Sequence, residues 1–286
     1  MTAPSWCCAS DRPHARAASV PHPRARKSLG QHFLSDPKLL ERIADALVPD
    51  PGLTVVEIGP GPGGLTAALA PRVGRLIAIE KDRELAAGLR LRFPRIQVVE
   101  GDALEIDWHR LAGPGPFAVA GNIPYNITSP LIDRALTPPR PVRIVFLVQK
   151  EVAERVAAEP GGAEYGALSV GVQAVAVVER LFIVRAGAFH PPPRVDSAVL
   201  RLTPIPSPPI SDAEVGEFRR FVVGLFGFRR KQLVRGLREL TGWPPAPVQK
   251  LLDAAGVIGT RRPQELAPGE FLTLFRQLRA GVGESG

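Results

Sequence analysis

A short apolar run, Thr54–Ile58, passes directly into Gly59-Pro60-Gly61-Pro62-Gly63-Gly64 and then into the helix-like stretch Leu65–Ala70. This junction constrains the chain more than any other feature. Glycines here let the backbone turn tightly and let a ligand approach it closely. The same alternation then repeats. Arg75–Ile79 reads as a strand before helical Asp82–Phe93, and Ile96–Val99 as a third strand. Phe117–Ala120 precedes helical Ser129–Ala135, and Arg143–Val148 precedes Lys150–Ala158. Strands that alternate with helices in this way predict a parallel sheet covered on both faces.

Upstream, Ser35-Asp36-Pro37 marks a helix start, and Leu39, Leu40, Ile43, Ala44 and Leu47 form one apolar stripe up to Pro49. Downstream, Gln173–Arg185 and Val195–Leu202 read as further strands, and the proline-rich Pro204–Pro209 marks a boundary. Beyond it only helical patterns occur, over Asp212–Phe226, Arg229–Leu240, Pro247–Ala255 and Pro268–Arg279. The expected division is a basic, disordered arm over 1–27, an α/β domain over 28–204 and a small all-helical domain over 205–286.

Charge follows that division. The net +8 comes from residues 1–30, with five basic groups and one acid, and from residues 205–286, with twelve and eight. Residues 31–204 hold nineteen of each sign. A neutral body with basic ends suits a core flanked by parts that grip a polyanion. The two cysteines, Cys7 and Cys8, are adjacent, so they neither staple a fold nor match a metal-ligand spacing. With no apolar run of membrane-spanning length and no apolar signal core, a cytoplasmic protein without metal or membrane partner is expected.

The glycine loop by itself fits either a nicotinamide dinucleotide or S-adenosylmethionine. Glu80 ends the second strand 19 residues after Gly61, where a carboxylate can hold ribose hydroxyls. Two details favour S-adenosylmethionine. Glu57 lies at the end of the first strand, where it could receive a cationic sulfonium or amino-acid end. Asp102, in Gly101-Asp102-Ala103-Leu104, follows the third strand, where an acid can meet an adenine amino group.

Gly121-Asn122-Ile123-Pro124-Tyr125 follows the fourth strand. The exocyclic nitrogen of a base is a poor nucleophile because its lone pair is delocalised into the ring. An Asn side-chain oxygen and the carbonyl before a proline can accept its hydrogens and turn the lone pair outward, with Pro124 fixing the carbonyl direction. The Tyr125 ring can stack on an extruded base. Phe189, in Phe189-His190-Pro191-Pro192-Pro193-Arg194, is placed to present a second ring to the base. His32, His109 and His190 lack the partners of a metal site. Arg229-Arg230-Lys231 is read as opening a helix continued by Arg235 and Arg238, with Arg261 and Arg262 as a second pair and Arg24–Lys27 as a basic arm. Such clusters neutralise phosphates.

These stretches, with Lys27-Ser28-Leu29-Gly30-Gln31-His32-Phe33-Leu34, Gln149-Lys150-Glu151, Tyr165–Val170 and Phe226–Leu233, resemble the ribosomal RNA adenine dimethyltransferases, and most closely their bacterial small-subunit type. Residues 1–26 carry none of the family's motifs. The resemblance implies a Rossmann-like S-adenosylmethionine-dependent methyltransferase sheet. It also implies dimethylation of two adjacent adenosines in a hairpin loop near the 3′ end of 16S rRNA, on a pre-30S or 30S particle, by a monomer. Carried onto this chain, Gln31, His32, Leu34, Glu57, Gly59, Gly61, Glu80, Asp102 and Asn122 would border the cofactor. Asn122, Pro124 and Tyr125 would hold the target base; the reading of the residues themselves adds Phe189 to the base and sets Arg26, Lys27, Arg229, Arg230, Lys231 and Arg235 on the RNA. Position 32 is often Asn in that family, so His32 suggests a backbone contact or a tolerant site. A macrolide-resistance enzyme acting on 23S rRNA, a ribosome-assembly factor acting mainly by binding, and a nicotinamide oxidoreductase are the competing readings.

Overall fold

The computed structural model describes Arg26, residues 30–48 and residues 50–283. Apart from Arg26, the expected arm over 1–27, with both cysteines and Lys27, lies outside the described residues. The chain opens with β1 (Phe33–Leu34) and α1 (Pro37–Ala46). The Asp36 carboxylate caps α1 by accepting from the backbone N–H of Lys38 at 2.9 Å and of Leu39 at 3.2 Å, and Pro37 takes the first helical position. There follow β2 (Thr54–Ile58), α2 (Gly64–Leu69), β3 (Arg75–Glu80), α3 (Arg83–Arg92), β4 (Gln97–Glu100), α4 (Trp108–Ala112), β5 (Phe117–Asn122), α5 (Thr128–Ala135), β6 (Arg143–Gln149) and α6 (Lys150–Val156).

These five strands are parallel and stand in the order β4-β3-β2-β5-β6. The sequence order reverses between β2 and β5, and a crevice opens at the carboxyl ends of strands at such a reversal. α7 (Ala167–Gln173) leads to β7 (Ala176–Val184), β8 (Phe189–His190) and β9 (Ser197–Pro204). The sheet is completed as β6-β9-β7, with β9 antiparallel to both neighbours, so it is mixed rather than all-parallel. Gln173, expected to begin a strand, ends a helix instead. Its side-chain amide donates to the Val156 and Ala158 carbonyls at 2.9 and 2.8 Å and so covers the frayed end of α6.

α8 (Val215–Phe226), α9 (Leu233–Thr241), α10 (Pro245–Ala255) and α11 (Pro268–Gly283) make up the rest. α8 and α11 pack on α7, α9 and α10 pack on those two, and the buried residues Phe218, Phe221, Leu237, Phe271 and Phe275 join one face of the sheet in a continuous apolar cluster. The Tyr165 hydroxyl donates to the Leu266 carbonyl at 2.7 Å across this junction. A second cluster, with α1 and α2, covers the other face. Arg229-Arg230-Lys231 lies in the turn before α9 and does not open it. The first backbone donors of α9, on Leu233 and Val234, are satisfied by the carbonyls of Arg261 and Gly259, which fixes the helix start beyond the cations.

Candidate active site

The cleft at the strand-order reversal is lined from the ends of β2, β3 and β5 and from the segment 30–33 that crosses in front of them. Gln31, His32, Gly59, Gly61, Glu80, Asp102, Asn122, Pro124 and Tyr125 all border it. Distant stretches of sequence thus converge, as the motifs predicted.

The glycine loop is tied directly to the acid that ends β3. The Gly61 N–H donates to one Glu80 oxygen at 3.0 Å, and the Asp82 N–H donates to the other at 2.8 Å. Gly61 has φ +58°, and a Cβ there would lie 3.1 Å from the Phe33 ring. The positive φ favours glycine, and an added Cβ would also need the Phe33 ring to give way by a few tenths of an ångström. Asp102 accepts from Lys81 Nζ at 2.7 Å and from the Leu104 N–H at 2.9 Å. The ammonium and the backbone donor hold its carboxyl below the usual range.

Glu57 is 1% exposed, and its Oε2 has no hydrogen-bond partner. It borders a smaller recess beneath the glycine loop, beside Phe33, Gly59 and Asn122. Burial, reinforced by the charge of Glu80, pushes its carboxyl up to about 8. Burial also raises Glu80. A folded-state value above the usual 4.5 favours the protonated form, so the stability linked to Glu57 is full below about pH 4.5 and is lost as pH rises through 8. The melting temperature should therefore fall between about pH 5 and pH 8 more steeply in the wild type than in Glu57→Gln. Parallel melting curves across that range would remove Glu57 as the cause.

Asn122 is oriented by a contact that the sequence did not reveal. Its Nδ2 donates to the His32 carbonyl at 2.8 Å, leaving Oδ1 as the acceptor Asn122 can offer to the cleft. The His32 backbone thus serves the cleft through Asn122. The His32 ring donates from Nδ1 to the Pro191 carbonyl at 2.8 Å and stacks on Tyr125, with centroids 5.7 Å apart at 26°. The Tyr125 hydroxyl lies 2.9 Å from Ser197 Oγ. The Pro124 carbonyl is taken by the Ile127 N–H and the Thr128 hydroxyl.

Several expected site residues stand elsewhere. Phe189 is 5% exposed and pairs with Leu34 in the β1–β8 ladder, so both side chains sit in the apolar core. The second stacking ring expected from Phe189 is thus absent from the cleft surface, whereas Leu34 borders the adjoining recess beside Glu57, and Phe33 borders both it and the main cleft. Arg26 is exposed but paired with acids of the same chain. Its guanidinium meets Asp82 at 3.2 Å and Glu84 at 3.0 Å, and Gln31 joins the same network through its Nε2, 3.4 Å from Asp82. Arg229 stitches loops together through Gln264 and the Ala163 carbonyl, and Lys231 pairs with Glu239. Arg230 and Arg235 are exposed. Phe33, Lys81 and Ser197 lie within or beside the sequence motifs, but only tertiary packing assigns them to the site.

Residues 22–279 match the family described as ribosomal RNA adenine dimethylase. The chain is similar to "Ribosomal RNA small subunit methyltransferase A" of Geobacter metallireducens, at 42% identity over 91% of this chain and 98% of the relative. The protein of that name from Myxococcus xanthus is 43% identical over 89% and 91%. Among solved structures, a dimethyladenosine transferase from Plasmodium falciparum superposes with a TM-score of 0.77 at 26% identity, covering 87% of this chain and 98% of that one. The 23S rRNA methyltransferase ErmE gives 0.68 at 33% identity, covering 86% and 99%. Because the family match runs through the sheet, the cleft and the helical end alike, the chain belongs to the ribosomal RNA adenine dimethylase family.

Proposed function

We propose that this protein uses S-adenosylmethionine to dimethylate the N6 amino groups of two adjacent adenosines, in a hairpin loop near the 3′ end of 16S rRNA. It would act as a cytoplasmic monomer on the pre-30S or 30S particle and contribute to small-subunit biogenesis. The observation that carries the reading is the Asn122 amide, pinned by the His32 carbonyl so that its oxygen remains to accept an amino hydrogen beside Pro124 and Tyr125. The relatives named for the small subunit, at 42% and 43% identity, favour that particle over the large one.

The residues fit the cofactor. A buried carboxylate oxygen without a partner is costly, and a cationic amino-acid group supplies one for Glu57. Glu80 and Asp102 border the cleft where ribose hydroxyls and an adenine amino group need acceptors. When bound, S-adenosylmethionine supplies an electrophilic methyl group. Asn122 Oδ1 and the Ile123 carbonyl accept the target's N6 hydrogens, which turns the nitrogen lone pair out of ring conjugation. Tyr125 supplies a stacking face. Catalysis on this reading is positioning: a held nucleophile beside a held donor. Gly61→Ala, strained at φ +58° and pressed on Phe33, should weaken binding of S-adenosylhomocysteine at least about tenfold by calorimetry. Unchanged affinity would place the cofactor away from this loop.

Residues 28–204 would be the catalytic part, 205–286 the RNA-gripping part and 1–27 a basic arm. Of the cations in the helical part, exposed Arg229, Arg230 and Arg235, with half-buried Lys231 beside them, would make the phosphate contacts. The test is incubation with labelled S-adenosylmethionine and undermethylated 30S particles, followed by digestion. Labelled dimethyladenosine in 16S rRNA, with RNA affinity falling steeply as salt rises, is expected. Label in naked 23S rRNA instead would favour the large-subunit reading, to which the similarity with ErmE points.

A further inference from the structure

Position 32 serves the cleft in two separable ways. Its backbone carbonyl fixes the Asn122 amide, which any side chain at 32 would permit. Its imidazole makes different contacts. The Nδ1–H is anchored on the Pro191 carbonyl, and the ring lies against Tyr125. Tyr125 is also held at its tip, where the hydroxyl meets Ser197, a fully buried residue of β9. An aromatic ring fixed at its tip and covered on one face keeps one tilt and leaves the opposite face for a stacking partner.

We propose that the His32 imidazole is a positioning residue for the target base: by backing Tyr125, it sets the face and tilt on which an adenine stacks next to Asn122. This rests on the adenine-methylation reading of the site. The side chain acts through Tyr125 and not on the cofactor, so its removal changes turnover more than cofactor affinity. Stacking, not the tie to Pro191, is the operative contact, so another ring should replace it and another hydrogen-bond donor should not.

Three variants separate these contributions. His32→Ala should lower kcat roughly tenfold, while the Kd for S-adenosylhomocysteine stays within about twofold. His32→Phe, which keeps a ring but no donor, should recover most of the lost turnover. His32→Gln, which keeps a donor but no ring, should not. The chain has only two tyrosines, Tyr125 and Tyr165, so proton–carbon spectra of tyrosine-labelled protein report the clamp without RNA. His32→Ala should shift the Tyr125 ring signals and speed its flips while leaving Tyr165 unchanged. Rescue by Gln but not Phe, loss of cofactor affinity equal to the loss of kcat, or an unmoved Tyr125 spectrum would each overturn the proposal. Wild-type protein that methylates no adenine would overturn the functional reading instead, and the tyrosine spectra would still report whether the clamp exists.

Discussion

Asn122→Ala should reduce methyl transfer to adenine by about 10²–10³-fold, the scale seen when one preorganised polar group is removed from a reacting centre. The side chain has two ends with two duties. Nδ2 is held by the His32 carbonyl at 2.8 Å, and that bond decides which end faces the cleft. Alanine removes both the acceptor and the means of aiming it, and the target nitrogen keeps its lone pair in the ring. Asn122→Asp is the more informative partner variant. It retains an acceptor but sets a carboxylate oxygen against the His32 carbonyl, so the aim is lost while the acceptor survives. Turnover between that of wild type and alanine is expected. Single-turnover rates with saturating cofactor are the measurement, because Asn122 also borders the recess of Glu57 and its loss will weaken cofactor binding somewhat. If Asn122→Ala kept more than about a tenth of the wild-type rate, against the expected loss of one preorganised group, the Asn–Ile–Pro–Tyr motif would be a strand-end turn and not the site that holds the target amino group.

What could be read from the sequence and what could not divide along a physical line. The strands from Thr54 to Val148 were legible because parallel strands buried on both faces are short apolar runs. The cleft residues Gly61, Glu80 and Asn122 were legible because backbone geometry dictates them: a left-handed turn, an acid at a strand end, an amide after a strand. The misplaced residues share another property. Phe189, Arg26, Arg229 and Lys231 each have a side chain able to serve a surface or an interior, and distant partners decide which. Phe189 meets Leu34 only once β1 and β8 pair. Arg26 and Arg229 look like phosphate ligands until Asp82, Glu84, Gln264 and the Ala163 carbonyl are brought beside them. The net +8 of the chain therefore overstates the positive charge free to meet RNA.

Gly121→Ala should destabilise the fold by about 3 kcal/mol or more, at the upper end of overpacking effects, although it adds one methyl group. Ile58 and Gly121 face each other across the β2–β5 pairing, and a Cβ at Gly121 would lie 2.4 Å from the Ile58 carbonyl oxygen and 2.9 Å from Ile123 Cδ1. The Ile123 methyl can turn away. The Ile58 oxygen cannot, because it belongs to the backbone at the centre of the sheet, with β3 bonded on its other side. Relief would require parting β2 from β5, the two strands between which the cleft opens. Gly88→Ala is the control: that glycine lies in α3 with nothing within 4 Å of the added Cβ, so the same change there should stabilise by about 0.5–1 kcal/mol. Urea unfolding of the two variants should thus move in opposite directions, and equal midpoints would show that the β2–β5 contact is softer than its geometry implies. Gly121 and Asn122 are neighbours in one motif with different duties. Glycine at 121 lets two strands approach closely enough to set the cleft, and only then can the amide at 122 reach the His32 carbonyl from 90 residues away.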